Sequence, residues 1–188
     1  MENPAVRHVF RCVLLHSALV LLVLLGGCAA MTVEECKVAR WGEVGLRDGL
    51  AGEPLGKLNA LVKDCAEAHV AVDTPTYLQG RDQGLLTYCR LDNAPRQGLA
   101  GKTYSGACPA SIDGEFYRRF AIGREVYDAN QQMRGLDGRR VDLENRLRAT
   151  KEDDAKRRLR EDLSDLDRTM RRARDRVRDA EFTLDRLR

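Results

Sequence analysis

Aromatic side chains are scarce, 5% of 188 residues with a single tryptophan, and proline occurs only five times. So few prolines, with 16 glycines, exclude a collagen-like rod and a long proline-rich tail. A surplus of one charge sign is also missing. Lys+Arg at 32 against Asp+Glu at 29 leave a formal net charge of +3, so the basic excess of a nucleic-acid binder is absent and no nucleic-acid partner is expected. Only one long apolar run exists, Cys12 to Leu25, which excludes a polytopic membrane protein. Cys-x-x-Cys pairs, a Gly-x-Ser-x-Gly elbow and a phosphate-binding Gly-x4-Gly-Lys-Ser/Thr loop are all lacking.

That apolar run is placed where a secretory signal would be. Arg7, His8 and Arg11 form a basic segment before it, and the run is broken only by His16 and Ser17. It ends Leu24-Leu25-Gly26-Gly27-Cys28, which resembles the lipobox of bacterial lipoproteins: a large aliphatic residue, two small ones, then the cysteine whose thiol receives diacylglycerol. Residues 1–27 are therefore expected to be a lipoprotein signal peptide, Cys28 the lipidation site, and 28–33 a lipidated linker. An uncleaved anchor is disfavoured, because about 20 apolar residues are needed to span a bilayer. Acyl chains contribute about 0.8 kcal/mol per buried CH2, so two or three of them hold a protein on a membrane without a spanning helix. Ala29 stands after Cys28 where an aspartate would retain the protein, and by resemblance to the sorting rule for lipoproteins this implies the periplasmic face of the outer membrane.

Six cysteines fit that compartment: Cys12 leaves with the signal, Cys28 takes the lipid, and Cys36, Cys65, Cys89 and Cys108 remain as two disulfides. Neither a metal nor a cofactor is expected. Past residue 33 the apolar residues recur at three and four, giving helices over Glu34–Leu50, Pro54–Val70 and Thr74–Cys89, the last opened by Thr74 as N-cap and Pro75 at N1. Two helices joined by a short turn run antiparallel, which brings Cys36 beside Cys65. The stretch Leu91–Ala107, with Asn93, Pro95 and glycines at 98, 101 and 106, reads as an irregular loop that a Cys89–Cys108 bridge would close.

From Ser111 the chain reads as helix almost to its end. Residues 134–188 hold 18 basic and 14 acidic side chains in 55 positions, a density that suits a solvated arm. Leu163, Leu166, Met170, Ala173, Val177, Ala180, Leu184 and Leu187 form a heptad seam, and Phe116, Phe120, Tyr127, Met133, Leu136, Leu143 and Leu147 form a second stripe. Thr150-Lys151-Glu152-Asp153 has the form of a capping box, so a turn near 150 would fold the two stripes together. The fold class expected is all-α: a disulfide-stapled helical domain over 34–110, then a charged helical arm over 111–188 as an antiparallel hairpin. One uninterrupted helix, or an oligomer through the arm, is the alternative.

An echo links Tyr77-Leu78-Gln79-Gly80-Arg81-Asp82 to Phe120-Ala121-Ile122-Gly123-Arg124-Glu125, with a looser version between Trp41 and Gly49. Glycine in a helix costs about 1 kcal/mol against alanine, so Gly45/Gly49 and Gly80/Gly84 need a reason. Close helix approach is one. A ligand groove floored by Gly80 and Gly84 and walled by Trp41, Tyr77, Tyr88 and Tyr104 is the other.

Trp41 with Asp48-Gly49, then Tyr77-x2-Gly-Arg-x2-Gly-Leu-x2-Tyr-Cys, then Gly98-x2-Gly-x2-Tyr104 and Cys108-Pro109 resemble a proteobacterial family of small lipoproteins catalogued only as a domain of unknown function. The resemblance covers roughly Cys36 to Tyr127; it implies the location and the cysteine framework and carries no activity.

Catalytic residues are not expected. His69 is the only histidine beyond the signal, so any Ser-His-Asp triad would depend on it, and a lone histidine near a helix end reads as a cap or a surface group. Asp48, Asp82 and Glu115 would have to supply a hydrolase pair, yet Asp48 and Asp82 each follow an arginine and read as local ion pairs or surface charges. The functional expectation is an envelope adaptor held to the membrane by lipid and meeting an envelope protein or the cell wall through residues 111–188. A binding module for a small envelope component is the alternative, and a polysaccharide hydrolase the remote one.

Overall fold

The computed structural model describes residues 31–187, so the expected signal peptide and Cys28 lie outside the described residues. Seven helices and no strand are found among them: α1 Val33–Val38, α2 Trp41–Ala51, α3 Gly56–Glu67, α4 Thr74–Tyr88, α5 Ala94–Leu99, α6 Ala110–Ala149 and α7 Asp153–Asp185. No helix among the described residues is long and apolar enough to cross a membrane.

The helix expected over Glu34–Leu50 is two helices. Thr32 starts α1 with a capping box, its hydroxyl accepting from the Glu35 N–H at 3.3 Å while Glu35 accepts from the Thr32 N–H at 2.8 Å. Ala39 then takes an extended conformation, ψ 130°, which stops the ladder before Trp41 restarts it. The pieces belong to different compact units. One unit holds the described residues up to Trp41 with 55–74; the other holds 42–54 with 75 onward.

In the first unit the Cys36–Cys65 disulfide joins α1 to α3, with Cα atoms 5.5 Å apart. The expected pairing is present, but within this unit it joins the six-residue α1 to α3, since the helix expected over Glu34–Leu50 is broken and residues 42–50 of it belong to the other unit. His69 follows α3 at a left-handed φ of 56°, its N–H bonded to Ala66 O, and stays exposed as a helix terminator.

In the second unit, α2 and α4 cross in parallel with backbone touching backbone. A Cβ on Gly45 would lie 1.9 Å from Tyr77 O, and one on Gly49 would lie 2.2 Å from Arg81 O. The same crossing recurs between α5 and α6. Gly84 faces Leu46 O and Gly123 faces Pro95 O; Gly49 faces Arg81 O and Gly98 faces Phe120 O. Three residues past each first-helix glycine stands a left-handed one, Gly52 (φ 69°) or Gly101 (φ 70°), whose N–H returns to Gly49 O at 3.1 Å or to Gly98 O at 2.9 Å. Tyr88 covers Gly52 and Tyr127 covers Gly101, each tyrosine four residues beyond its helix's crossing glycine. The unit is thus built on one motif used twice.

The expected echo was one helical turn out of register: Gly84, not Gly80, is the counterpart of Gly123. Its arginines were matched for a sound reason, however. Arg81 donates to Glu53 O at 2.7 Å and Arg124 to Lys102 O at 3.0 Å, the two carbonyls just past the left-handed glycines.

The stretch 91–107 is not wholly irregular, since α5 lies inside it. Pro95 begins that helix within its first two positions, where no N–H is needed, and Gly98 is the residue that lets α5 press on α6. The expected Cys89–Cys108 bridge closes over it, Cα atoms 5.6 Å apart. Around it a core forms from Leu85, Tyr88, Ala94, Phe116 and Phe120, with Leu91, Tyr104 and Ile112 against it. That core runs across residue 110, so the base and the start of α6 are packed together.

The arm is an antiparallel hairpin and not one uninterrupted helix. Leu143, Leu159, Leu166 and Met170 are buried together, with Met133, Leu136, Leu147 and Leu163 packed on them. Ala173 and Ala180 are buried as well. The turn falls at 150–152 as expected, but the capping box does not form. Thr150 instead closes α6, its hydroxyl donating to Arg146 O at 2.8 Å, and Glu152 precedes α7 without a side-chain cap.

Candidate functional site

At the α2–α4 crossing, close approach of the backbones carries polar groups inward. Tyr77 is fully buried, and its hydroxyl donates to Asp48 Oδ2 at 2.9 Å; Asp48 is 1% exposed. Asp48 is therefore a buried acceptor, not the local surface charge that its neighbour Arg47 implied. Arg81 is buried beside them, and its Nε has no hydrogen-bond partner. At the second crossing the positions of Tyr77 and Arg81 are taken by Phe116 and Phe120, so the polar cluster is peculiar to the first.

The groove expected from Trp41, Tyr77, Gly80, Gly84, Tyr88 and Tyr104 is closed. A Cβ on Gly80 would lie 2.0 Å from Gly42 O and one on Gly84 2.4 Å from Leu46 O, so backbone of α2 occupies the floor. Tyr77 and Tyr88 are buried, and Trp41, half-buried, opens α2. The structure does bring Tyr88 and Tyr104 to one residue, each packing on Phe116 with ring centroids 5.3 and 5.0 Å away. Tyr104 fastens the bridged loop: its hydroxyl donates to Asp113 Oδ1 and accepts from the Cys108 N–H at 3.2 Å.

Burial, then the hydrogen bond to Asp113, pushes the Tyr104 phenol up to about 12. Burial also raises Tyr88, and burial with the bond to Asp48 raises Tyr77 above the ordinary range. An unfolded phenol titrates near 10. Folded values above the unfolded one mean a contribution to stability that is complete below pH about 10 and lost as pH rises through the folded values. The urea midpoint should therefore hold up to about pH 10 and then fall, with the phenolate absorbance of these three tyrosines appearing only as the fold is lost. A phenolate step for every tyrosine near pH 10 with the fold intact would contradict this.

The other acids have separate surroundings. Glu115 accepts from Arg119 at 2.8 Å and from Arg118 at 2.6 Å, and these guanidiniums hold its carboxyl below the usual range. Asp82 is exposed and lines a concavity of about 380 Å³ with Leu85, Leu86, Cys89, Arg90, Pro109 and Ile112. A second concavity of about 370 Å³ lies where Leu91, Pro95 and Leu99 face Leu184 and Leu187. No group of three His, Cys, Asp or Glu that could hold a metal ion is found among the described residues.

The class defined by these observations is an all-helical protein, twice disulfide-bridged, with a doubled glycine crossing and a charged hairpin. Residues 40–125 are similar to the family described as "Protein of unknown function (DUF2799)", a match that covers a little under half of the chain and stops inside α6, before the hairpin turn. No curated protein and no solved structure matches the chain.

Proposed function

We propose that this chain is a lipoprotein of the cell envelope, anchored through Cys28 at the periplasmic face of the outer membrane, and that it works as an adaptor rather than a catalyst. The observation that carries the adaptor reading is the hairpin: helices of 40 and 33 residues whose apolar stripes are spent on each other, leaving a charged outer surface for a partner. The glycine crossings and the Cys89–Cys108 disulfide brace its base. The proteobacterial lipoprotein resemblance of the Tyr-Cys and Cys-Pro motifs and the lipobox support the location. A binding module for a small envelope component is the second reading, favoured by the aliphatic concavity under Leu184 and Leu187.

Intact-mass analysis of the purified protein should find a mature chain that begins at acylated Cys28 and partitions into detergent. Photo-crosslinkers placed in turn along the exposed positions of α6 and α7 should capture one envelope component in cells, and deleting 134–188 should abolish capture. A Cys28→Ala chain that is still processed at residue 28 and stays on the membrane would overturn the anchor. Capture that survives loss of the arm would overturn the adaptor.

A further inference from the structure

The hairpin's charge is not evenly spread. Residues 168–178 hold six arginines (168, 171, 172, 174, 176, 178) and one acid, Asp175, a net of +5 where the whole chain carries only +3, so the remaining residues sum to −2. All six arginines are exposed. The opposite face of the same turns is occupied, with Met170 and Ala173 each 1% exposed against the hairpin interior. We propose that this arginine face of α7 is an electrostatic docking surface for a membrane rich in anionic phospholipid, contacted through the lipid phosphates.

Three features of the face point to that partner. Arg168 and Arg178 are engaged by Asp165 and Asp175, but Arg171, Arg174 and Arg176 make no ion pair among the described residues. They are therefore available to an outside anion. Second, no lysine follows Lys156, so every cation of this face is a guanidinium, whose planar fork grips phosphate oxygens in pairs. Third, Arg168, Arg172 and Arg176 form one row at four-residue spacing, and Arg171, Arg174 and Arg178 form another, along about 15 Å of helix. Two rows on the outward face of a helix suit a broad surface of repeated charges better than a single acidic strand. Since Met170 and Ala173 are buried in the hairpin and Val177 is half-buried, contact is by charge, without insertion. The inference rests on the anchored reading above only for access to such a membrane in the cell, and it lays the arm along the bilayer.

The test uses the mature polypeptide, residues 28–188 with Cys28→Ala, so that no acyl chain contributes and every described residue is kept. It should sediment with vesicles of phosphatidylcholine and phosphatidylglycerol in roughly equal parts and not with phosphatidylcholine alone, and salt should release it. Replacing Arg171, Arg174 and Arg176 together by glutamine should weaken binding about a hundredfold, at about fivefold per charge, with helical circular dichroism unchanged. The same exchange at Arg139, Arg148 and Arg157 should leave most of the binding in place. Equal binding to neutral vesicles, native-like binding by the triple variant, or retention on peptidoglycan or an acidic protein without vesicle binding would overturn the proposal. Failure of vesicle binding while the acylated protein stays on membranes would reject this surface and leave the anchor standing; the reverse would reject the anchor alone.

Discussion

Gly84→Ala should destabilise the second unit by about 2 to 4 kcal/mol, whereas Gly135→Ala and Gly138→Ala should each stabilise it by about 0.5 to 1 kcal/mol. In an open helix alanine is the better residue, and Gly135 and Gly138 of α6 have nothing within 4 Å of an added Cβ. At Gly84 that methyl group would meet Leu46 O at 2.4 Å and Leu50 N at 2.5 Å. Both are backbone atoms within one helix, so relief requires α2 to move bodily away from α4 and give up the bond between Tyr77 and Asp48. Gly123, which plays the same part against Pro95 in the second crossing, should show the same sign. Denaturant titration under oxidising conditions measures all four changes. A neutral Gly84→Ala would mean that the helices do not cross at this distance.

Reduction should strike the first unit hardest. Among the described residues its buried ones are Cys36, Leu58, Leu61 and Cys65, two of the four being the bridge itself. Domains below about 40 residues seldom hold together without a disulfide or a metal, and a bridge closing a loop of this length stabilises by about 3 to 4 kcal/mol. Cys36→Ser should therefore leave the amides of α1 and α3 exchanging freely while those of α6 and α7 stay protected, as read by hydrogen exchange. Equal protection of α3 with and without the bridge would count against this.

Much of the fold could be read because apolar spacing is a strong signal over long helices. The two stripes that meet in the hairpin, and the turn between them, follow from Leu143, Leu147, Leu159 and Leu166 alone. The break at Ala39 could not be read, since Val38-Ala39-Arg40 contains no glycine or proline and only the local ψ ends the helix. Glycine was the other obstacle. Gly98 in a short segment with Pro95 reads as loop, although close approach to Phe120 is what requires it. Gly123 and Gly135 look alike in sequence, yet one is wedged and the other is open. As for the expected groove, the residue types were suited to a ligand, and what filled the space was backbone, which residue identity does not report. Asp48 likewise looked like a partner for Arg47, because sequence distance says nothing of Tyr77 arriving from 29 residues away.

The disulfides also decide what a cut in the chain can do. Cys89 and Cys108 are 19 residues apart and enclose the whole of α5, while Cys36 and Cys65, 29 apart, enclose the whole of α2. These are the two short helices that supply the first half of each glycine crossing. A protease that nicks the backbone inside either loop therefore releases nothing: the pieces remain one covalent molecule, and each severed helix is still tethered within reach of its partner. Wherever a protease meets this chain, each half of the motif on which the base depends is held by its own bridge against loss by a single cleavage.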